Sequence, residues 1–308
     1  MRTLGLSAAL EPGLTVHTST FVAAVEDGFA SLPVDIQRGI RLAWACDGMS
    51  FAGGQTAAQN LVLENVDLVV GHFSSQAAMG AIPHYIKGRI PVILPCSSQD
   101  DLTASNKTGD PVIYRLSCSN TALLKAVRRL LHVEGISPSD LSVWSADSDY
   151  GRQLAAAASH DFGRADAGTY LLLGHHHHVV EKIVQLRQSG FYGRIIILDD
   201  AVNPQLADQV GSLFCAGILG LVAEVDGISQ DSRLSGAPFY RETHLAIQIA
   251  GRALATGVQH AELAKILRDQ QWDTSAGRAA FDDRGENTAF QFGVWGLQGG
   301  AFQRLSRL

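Results

Sequence analysis

The segment Val66–Thr103 reads VDLVVGHFSSQAAMGAIPHYIKGRIPVILPCSSQDDLT. Two apolar runs, Asp67–Val70 and Pro91–Leu94, each end in a small, hydroxyl-rich turn. The first turn is Gly71-His72-Phe73-Ser74-Ser75 and the second is Pro95-Cys96-Ser97-Ser98. Gln76–Ile86 between them is able to form a helix. The order is therefore strand, turn, helix, strand, turn. In an open parallel sheet, ligands sit beyond the carboxyl ends of the strands, where helix N-termini offer free N–H groups. Two such turns on neighbouring strands make one half of a small-molecule site.

The same alternation runs outward in both directions. Thr3–Leu10 and Ile40–Cys46 read as strands, with helices at Thr20–Leu32 and Gly53–Glu64. Val112–Leu116 is a further short strand, and Ser119 or Asn120 can cap a helix over Thr121–His132. The break near residues 117–140 starts a second series. Its strands are Leu141–Ser145, Thr169–Leu173, Arg194–Leu198 and Phe214–Val222, and its helices are Arg152–Phe162 and Val179–Ser189. Helices follow at Arg241–Thr256 and Ala261–Gln270, and Phe281–Leu305 reads as a turn and a β-hairpin. Strand–helix alternation of this kind predicts right-handed βαβ units and parallel sheets. The expected class is α/β, with two Rossmann-like lobes.

Composition narrows the function. A chain of 308 residues is long for one core and favours two lobes. With 46 % hydrophobic and 18 % charged residues it is ordinary globular material, not a disordered one. Its formal charge of −6, with no basic stripe, speaks against a nucleic-acid partner. Cys46, Cys96, Cys118 and Cys215 stand in separate segments with no CxxC pair, so no zinc or redox motif is expected, and no other cofactor. No run reaches the ~18 apolar residues of a membrane span. The apolar stretch after Met1-Arg2 is too short for a signal peptide and reads as the first strand. The expected location is cytoplasmic as written, or periplasmic if an export signal has been removed.

Four motifs then carry a resemblance. The first is VDLVVGHFSSQAA with RIPVILPCSSQDDLT; the second is VWSADSDYGRQLA. The third is IVQLRQSGFYGRIIILDD and the fourth is TSAGRAAFDDRGENTAFQFGVWGLQGGAFQRL. Together, in this order, they resemble the type I periplasmic binding fold, in particular its branched-chain amino acid and amide receptor group. The resemblance implies two lobes joined by a three-crossing hinge: residues 1–117 plus 224–280 as one, 118–223 plus 281–308 as the other, with the ligand cleft between them. It implies hinge crossings near Leu116–Ser119, Leu221–Glu224 and Ala280–Asp283. The N-terminal 50 residues depart from the group by lacking its Asn-x-x-Gly-Gly turn, and the stretch Arg152–Tyr170 is short.

By the same resemblance, one lobe holds a carboxylate or similar polar head with backbone N–H groups and hydroxyls. Ser75, Ser97 and Ser98 occupy those positions, flanked by Phe73, Ser74 and Cys96. Physically, N–H dipoles and hydroxyls satisfy an anion without a full positive charge; the competing role for the serines is to cap their own helices. The other lobe contributes Tyr150, which stacks on the ligand or packs at the hinge. Asp199 or Asp200 stands where amino-acid receptors of the group hold the ammonium. The run His175–His178 is unusual. Four consecutive side chains point in different directions and cannot converge on one metal, so His175 or His176 is expected at the ligand and no metal site is expected. His72 reads as a buried, hydrogen-bonded residue. Glu11, Trp44 and Asp47 lie within reach of the cleft but read as structural, and Glu224 stands near a crossing.

The expected function is non-catalytic binding of an amino acid or amide-like metabolite. The chain would act as a cytosolic sensor or accessory protein with a regulatory partner, or as the binding component of an ABC importer. Two alternatives stay open. One is an enzyme on the same scaffold, using Ser75, Cys96 or a histidine of the run. No G-x-S-x-G elbow, H-E-x-x-H or phosphate loop supports it. The other is a degenerate fold used only as an interaction module.

Overall fold

A computed structural model describes residues 1–11, 17–158, 168–225 and 238–308, excluding the side chain of Asp200. The chain divides into two compact units. Among the described residues the first holds 1–119, 225 and 239–290, and the second holds 120–224, 238 and 291–308.

The first unit is built on a five-stranded sheet of β1 (Arg2–Ala8), β2 (Ile40–Cys46), β3 (Leu68–Gly71), β4 (Val92–Leu94) and β5 (Ile113–Arg115), in the order β2-β1-β3-β4-β5. Every paired strand is parallel, with Ser7 opposite Gly71 and Ala8 opposite Cys46. The sequence Leu68-Val69-Val70 is apolar without alternation because both faces of β3 are covered. On one face lie α1 (His17–Ala30), α10 (Tyr240–Ala255) and α11 (His260–Asp269), around a core that includes Leu6, Phe21, Ile93, Tyr114 and Ile247. On the other lie α3 (Phe51–Leu63) and α4 (Ser75–Gly88), packed on Val69, Val92 and Leu94. These two helices approach closely at Gly54 and Gly80. A Cβ at either would stand 2.0 Å from a carbonyl oxygen, of Ala77 and Phe51 respectively.

The second unit carries a six-stranded sheet in the order β13-β12-β9-β8-β7-β6. Its strands are β6 (Leu141–Ser145), β7 (Thr169–Leu173), β8 (Arg194–Leu198), β9 (Ile218–Val225), β12 (Phe290–Gln298) and β13 (Ala301–Arg307). The run from β6 to β9 is parallel, and β12 and β13 form an antiparallel hairpin. Gly299 and Gly300, at φ +57° and +83°, make its two-residue turn, a conformation that favours glycine. The helices of this unit are α6 (Asn120–Val133), α7 (Asp149–Ala158), α8 (His176–Gln188) and the short α9 (Leu206–Val210).

Several elements differ from the sequence reading. Short helices at Val34–Gly39 (α2), Asp101–Ala104 (α5) and α9 were not expected, and Gln271–Thr274 (β10) and Gly277–Ala280 (β11) form a separate hairpin. The strand expected over Phe214–Val222 begins only at Ile218. Ser212–Phe214 is a turn of 3-10 helix, and Gly217 at φ +73° reverses the chain before the strand. The helix expected over Arg152–Phe162 is seen to Ala158, and its last four residues lie outside the described residues. Residues 281–290, expected with the second lobe, group with the first unit. Phe281 is buried in the first unit's core, and Arg115 exchanges backbone hydrogen bonds with Gly285 and Asn287.

Candidate functional site

In the first unit the two expected turns follow β3 and β4. Gly71 has φ +135°, and a Cβ there would lie 2.0 Å from the Ser7 carbonyl oxygen, so the close pairing with β1 requires glycine. Ser74 caps α4, accepting from the Ala77 N–H at 3.4 Å and donating to the Met49 carbonyl at 3.2 Å. Ser75 opens the helix and is half-buried, as is Phe73. Phe73 packs edge-on against Phe21 at 5.0 Å and against Phe239 at 6.1 Å. Ser98 and Cys96 are buried, and the Cys96 thiol donates to the Phe73 carbonyl.

Ser97 has a different place from the one expected. Its hydroxyl, 1 % exposed, donates to the His72 carbonyl at 2.7 Å and lies 3.3 Å from that of Phe73. It ties the second turn to the first. His72 is fully buried. Its Nδ1 is 2.7 Å from Asp47 Oδ2 and 3.1 Å from Ser7 Oγ, and its Nε2 is 3.1 Å from the Tyr85 hydroxyl. Burial, with Asp47 adding to it, pushes the Tyr85 phenol above its ordinary pKa. Of the three residues noted as within reach of a cleft, Asp47 belongs to this buried group. Trp44 stacks edge-on to Phe21 while 42 % exposed, and Glu11 is exposed.

In the second unit the candidate residues gather after β6, β7 and β8. Tyr150, in the first turn of α7, donates its hydroxyl to Asp199 Oδ2 at 2.9 Å. Its ring stacks on His175, with centroids 4.9 Å apart and planes 28° from parallel. Asp199 sits at φ +43° in the turn after β8. His175 is the residue before α8, and His176–His178 form that helix's first turn. The run fans out: His176 Nε2 is 2.6 Å from Gln209 Oε1 of α9, while the His177 and His178 rings lie 3.8 Å apart. Of the two histidines expected at a ligand, His175 is the one that stacks on Tyr150, the partner of Asp199. Among the described residues, no three His, Cys, Asp or Glu side chains are placed to hold a metal ion.

Three buried charged groups escaped the sequence reading in whole or part. Arg115 is fully buried; its Nη2 donates to the Gln99 carbonyl at 2.8 Å and its Nε lies 3.2 Å from Glu286. Burial lowers its pKa, and Glu286 opposes the shift. Arg187 donates to the carbonyls of Phe191, Gly193, Phe214 and Ala216, and burial lowers its pKa too. An arginine inside an apolar stretch, as in VIYRL, was the available signal for the first. Glu224, considered near a crossing, accepts the Trp295 indole N–H at 2.8 Å and pairs with Arg304 at 3.0 Å. It fastens the β12–β13 hairpin within the second unit.

Two parallel-sheet α/β units, each with polar side chains gathered where its strands end, define a type I periplasmic binding fold. The sequence profile described as periplasmic binding protein matches residues 14–182, more than half of the chain, and the chain belongs to that family. It is 22 % identical over 281 residues to the Leu/Ile/Val-binding protein of Escherichia coli K12, covering 77 % of this chain and 74 % of that one. Among solved structures, it matches a branched-chain amino acid transporter substrate-binding protein of Streptococcus pneumoniae in complex with isoleucine. The TM-score is 0.81 at 14 % identity, over 100 % of this chain and 98 % of the other. It also matches a solute-binding protein of an ABC transporter from Rhodopseudomonas palustris in complex with 4-hydroxybenzoate. There the TM-score is 0.78 at 15 % identity, over 100 % and 96 % of the chains. Among the described residues, no helix is long and apolar enough to cross a membrane.

Proposed function

We propose that this protein binds a small polar metabolite with a carboxylate head, an amino acid or amide-like compound, without transforming it. The observation that carries the reading is the Tyr150–Asp199–His175 group. A carboxylate is held by a phenol hydroxyl beside an aromatic face, at the ends of three adjacent parallel strands. Asp199 takes the ammonium or amide N–H of the ligand, and Tyr150 and His175 flank its body. In the first unit, the turns at Phe73–Ser75 and Cys96–Ser98 offer N–H groups at the start of α4 and the hydroxyls of Ser75 and Ser98, the donors a carboxylate needs. Ser97 supports the turns from behind. Family membership and the Leu/Ile/Val-binding relative support the ligand class.

The chain's output is delivery to an ABC importer, in line with the solved relatives, or a conformational signal to a regulatory partner. An enzymatic reading finds little support. The buried Ser7, His72 and Asp47 resemble a relay by residue type only: both oxygens lie on the same ring nitrogen, whereas a nucleophile and its orienting carboxylate need opposite ones. The Cys96 thiol is directed to a carbonyl.

A thermal-shift screen of the common amino acids, short amides and hydroxybenzoates, followed by calorimetry of the hits, tests the reading. Saturable stabilisation by at least one amine- or amide-bearing compound is expected. A clean blank across the set would sink it, and hits confined to hydroxybenzoates would move the ligand class to aromatic acids.

A further inference from the structure

We propose that His72 is a positioning residue: its buried imidazole, protonated on Nδ1, locks the turns after β3 and β4 into binding geometry. This rests on the reading of those turns as ligand contacts. The residue does not itself touch a ligand, since it is fully buried.

The contacts of this one residue reach β1, the end of β2, α4 and the turn after β4. Nδ1 faces Asp47 at the end of β2 and Ser7 at the end of β1. Nε2 faces Tyr85, deep in α4. Its backbone carbonyl accepts the Ser97 hydroxyl from the turn after β4. Asp47 extends the chain of bonds: its Oδ1 accepts the Met49 N–H at 3.0 Å, and the Met49 carbonyl accepts from Ser74, the cap of α4.

Proton placement follows from the partners. A carboxylate oxygen only accepts, so Nδ1 carries the hydrogen that faces Asp47. In the neutral ring Nε2 then keeps its lone pair and accepts the Tyr85 O–H. Each ring nitrogen thus meets a complementary partner, and the ring is fixed at both ends. A core histidine that merely filled space would need no such run of bonds into the ligand turns. This one couples Ser74 to its ring through three hydrogen bonds, and its main-chain carbonyl holds Ser97 directly.

The test uses the full chain. Long-range imidazole spectra of protein labelled with 15N-histidine report where the His72 proton sits. Amide spectra and calorimetry compare wild type with Tyr85→Phe and His72→Asn, using isoleucine and 4-hydroxybenzoate as probes well below the unfolding temperature. The proton is expected on Nδ1. Tyr85→Phe, which keeps the ring and loses one hydroxyl, is expected to move the Ser74, Ser75, Ser97 and Ser98 amide resonances. It should also weaken the bound probe about tenfold, the scale of one lost hydrogen bond. A proton on Nε2 would overturn the proposal. So would Tyr85→Phe with unmoved turn resonances, or with moved resonances and unchanged affinity. The spectra need no ligand: a wild type that binds neither probe defeats this choice of ligand, while proton position and turn resonances still decide His72. If His72→Asn does not fold, Tyr85→Phe carries the comparison alone.

Discussion

The Tyr150 hydroxyl donates to Asp199 Oδ2 across 2.9 Å and so fixes one oxygen of a half-buried carboxylate that follows β8. The bond joins the start of α7 to the turn after β8. Tyr150→Phe keeps the stack on His175 and removes only the donor. In the proposed site, an Asp199 that has lost this donor binds an ammonium less well. Calorimetry with leucine or isoleucine is expected to show about tenfold weaker binding, one hydrogen bond's worth. The unfolding temperature should fall by only ~2–4 °C. Equal affinity in the two proteins would remove Asp199 from the ammonium role.

Glu224 offers a test of stability without reference to any ligand. Its carboxylate, whose side chain is 10 % exposed, satisfies both the Trp295 indole and the Arg304 guanidinium. Glu224→Ala leaves a partly buried cation and an indole N–H without that partner, at a cost of about 2–4 kcal/mol. Glu224→Gln retains an oxygen for the indole and is expected to cost about half as much. Urea unfolding followed by tryptophan fluorescence measures both. If the two variants cost the same, the charge alone carries the stabilisation and the indole bond adds nothing; a Glu224→Gln variant as stable as the wild type would mean that the charge is of no consequence.

Gly54 and Gly80 set two effects of opposite sign against each other. In an exposed helix interior, Gly→Ala stabilises by ~1 kcal/mol through helix propensity. Here a Cβ would stand 2.0 Å from the Ala77 or Phe51 carbonyl oxygen, well inside contact distance and against backbone. The helices α3 and α4 must separate, and overpacking of this kind costs about 1–3 kcal/mol. Net destabilisation is expected for both Gly54→Ala and Gly80→Ala, and the double variant should lose less than the sum because one separation relieves both. A raised unfolding temperature in either single variant would show that the helices part freely.

The sequence made the parallel strands legible because those buried on both faces read as apolar runs: Thr169–Leu173 and Arg194–Leu198 keep their bounds, and the run expected over Asp67–Val70 lies one residue before β3. Short helices such as α5 and α9 were not legible, since four or five residues carry no helical period. The strand at Ile218 was misplaced because Phe214 and Cys215 extend the apolar pattern while the Gly217 backbone conformation breaks it. Of the candidate residues, Ser74 finds its partners close by in the fold, and Tyr150 and Asp199 find each other at the ends of strands of one sheet. Ser97 misled, because whether a hydroxyl faces a ligand or a neighbouring carbonyl depends on the register of β3 against β4. The reach of His176 to Gln209 joins α8 to an unforeseen helix, and no local pattern announces it.

His244 of α10 gives the first unit a pH dependence of defined sign. Burial lowers its pKa from 6.5, with Asp27 acting in the opposite direction, and its Nε2 lies 3.2 Å from Ser31 Oγ. The unfolded chain therefore takes up a proton near pH 6.5 that the folded protein accepts only at lower pH. In that window the unfolded state binds more protons, so stability falls as the pH drops. The decline ends once the depressed folded pKa is passed. One such group contributes a slope of at most about 1.4 kcal/mol per pH unit. His244→Gln retains a side chain able to bond Ser31 and carries no titrating group. Eleven histidines contribute to the wild-type profile, so the quantity to read is the difference between the two proteins. Chemical unfolding from about pH 7.5 to about pH 5 is expected to show the wild type losing stability faster than His244→Gln below about pH 6.5. Parallel profiles would mean that the imidazole titrates alike in the folded and unfolded chain.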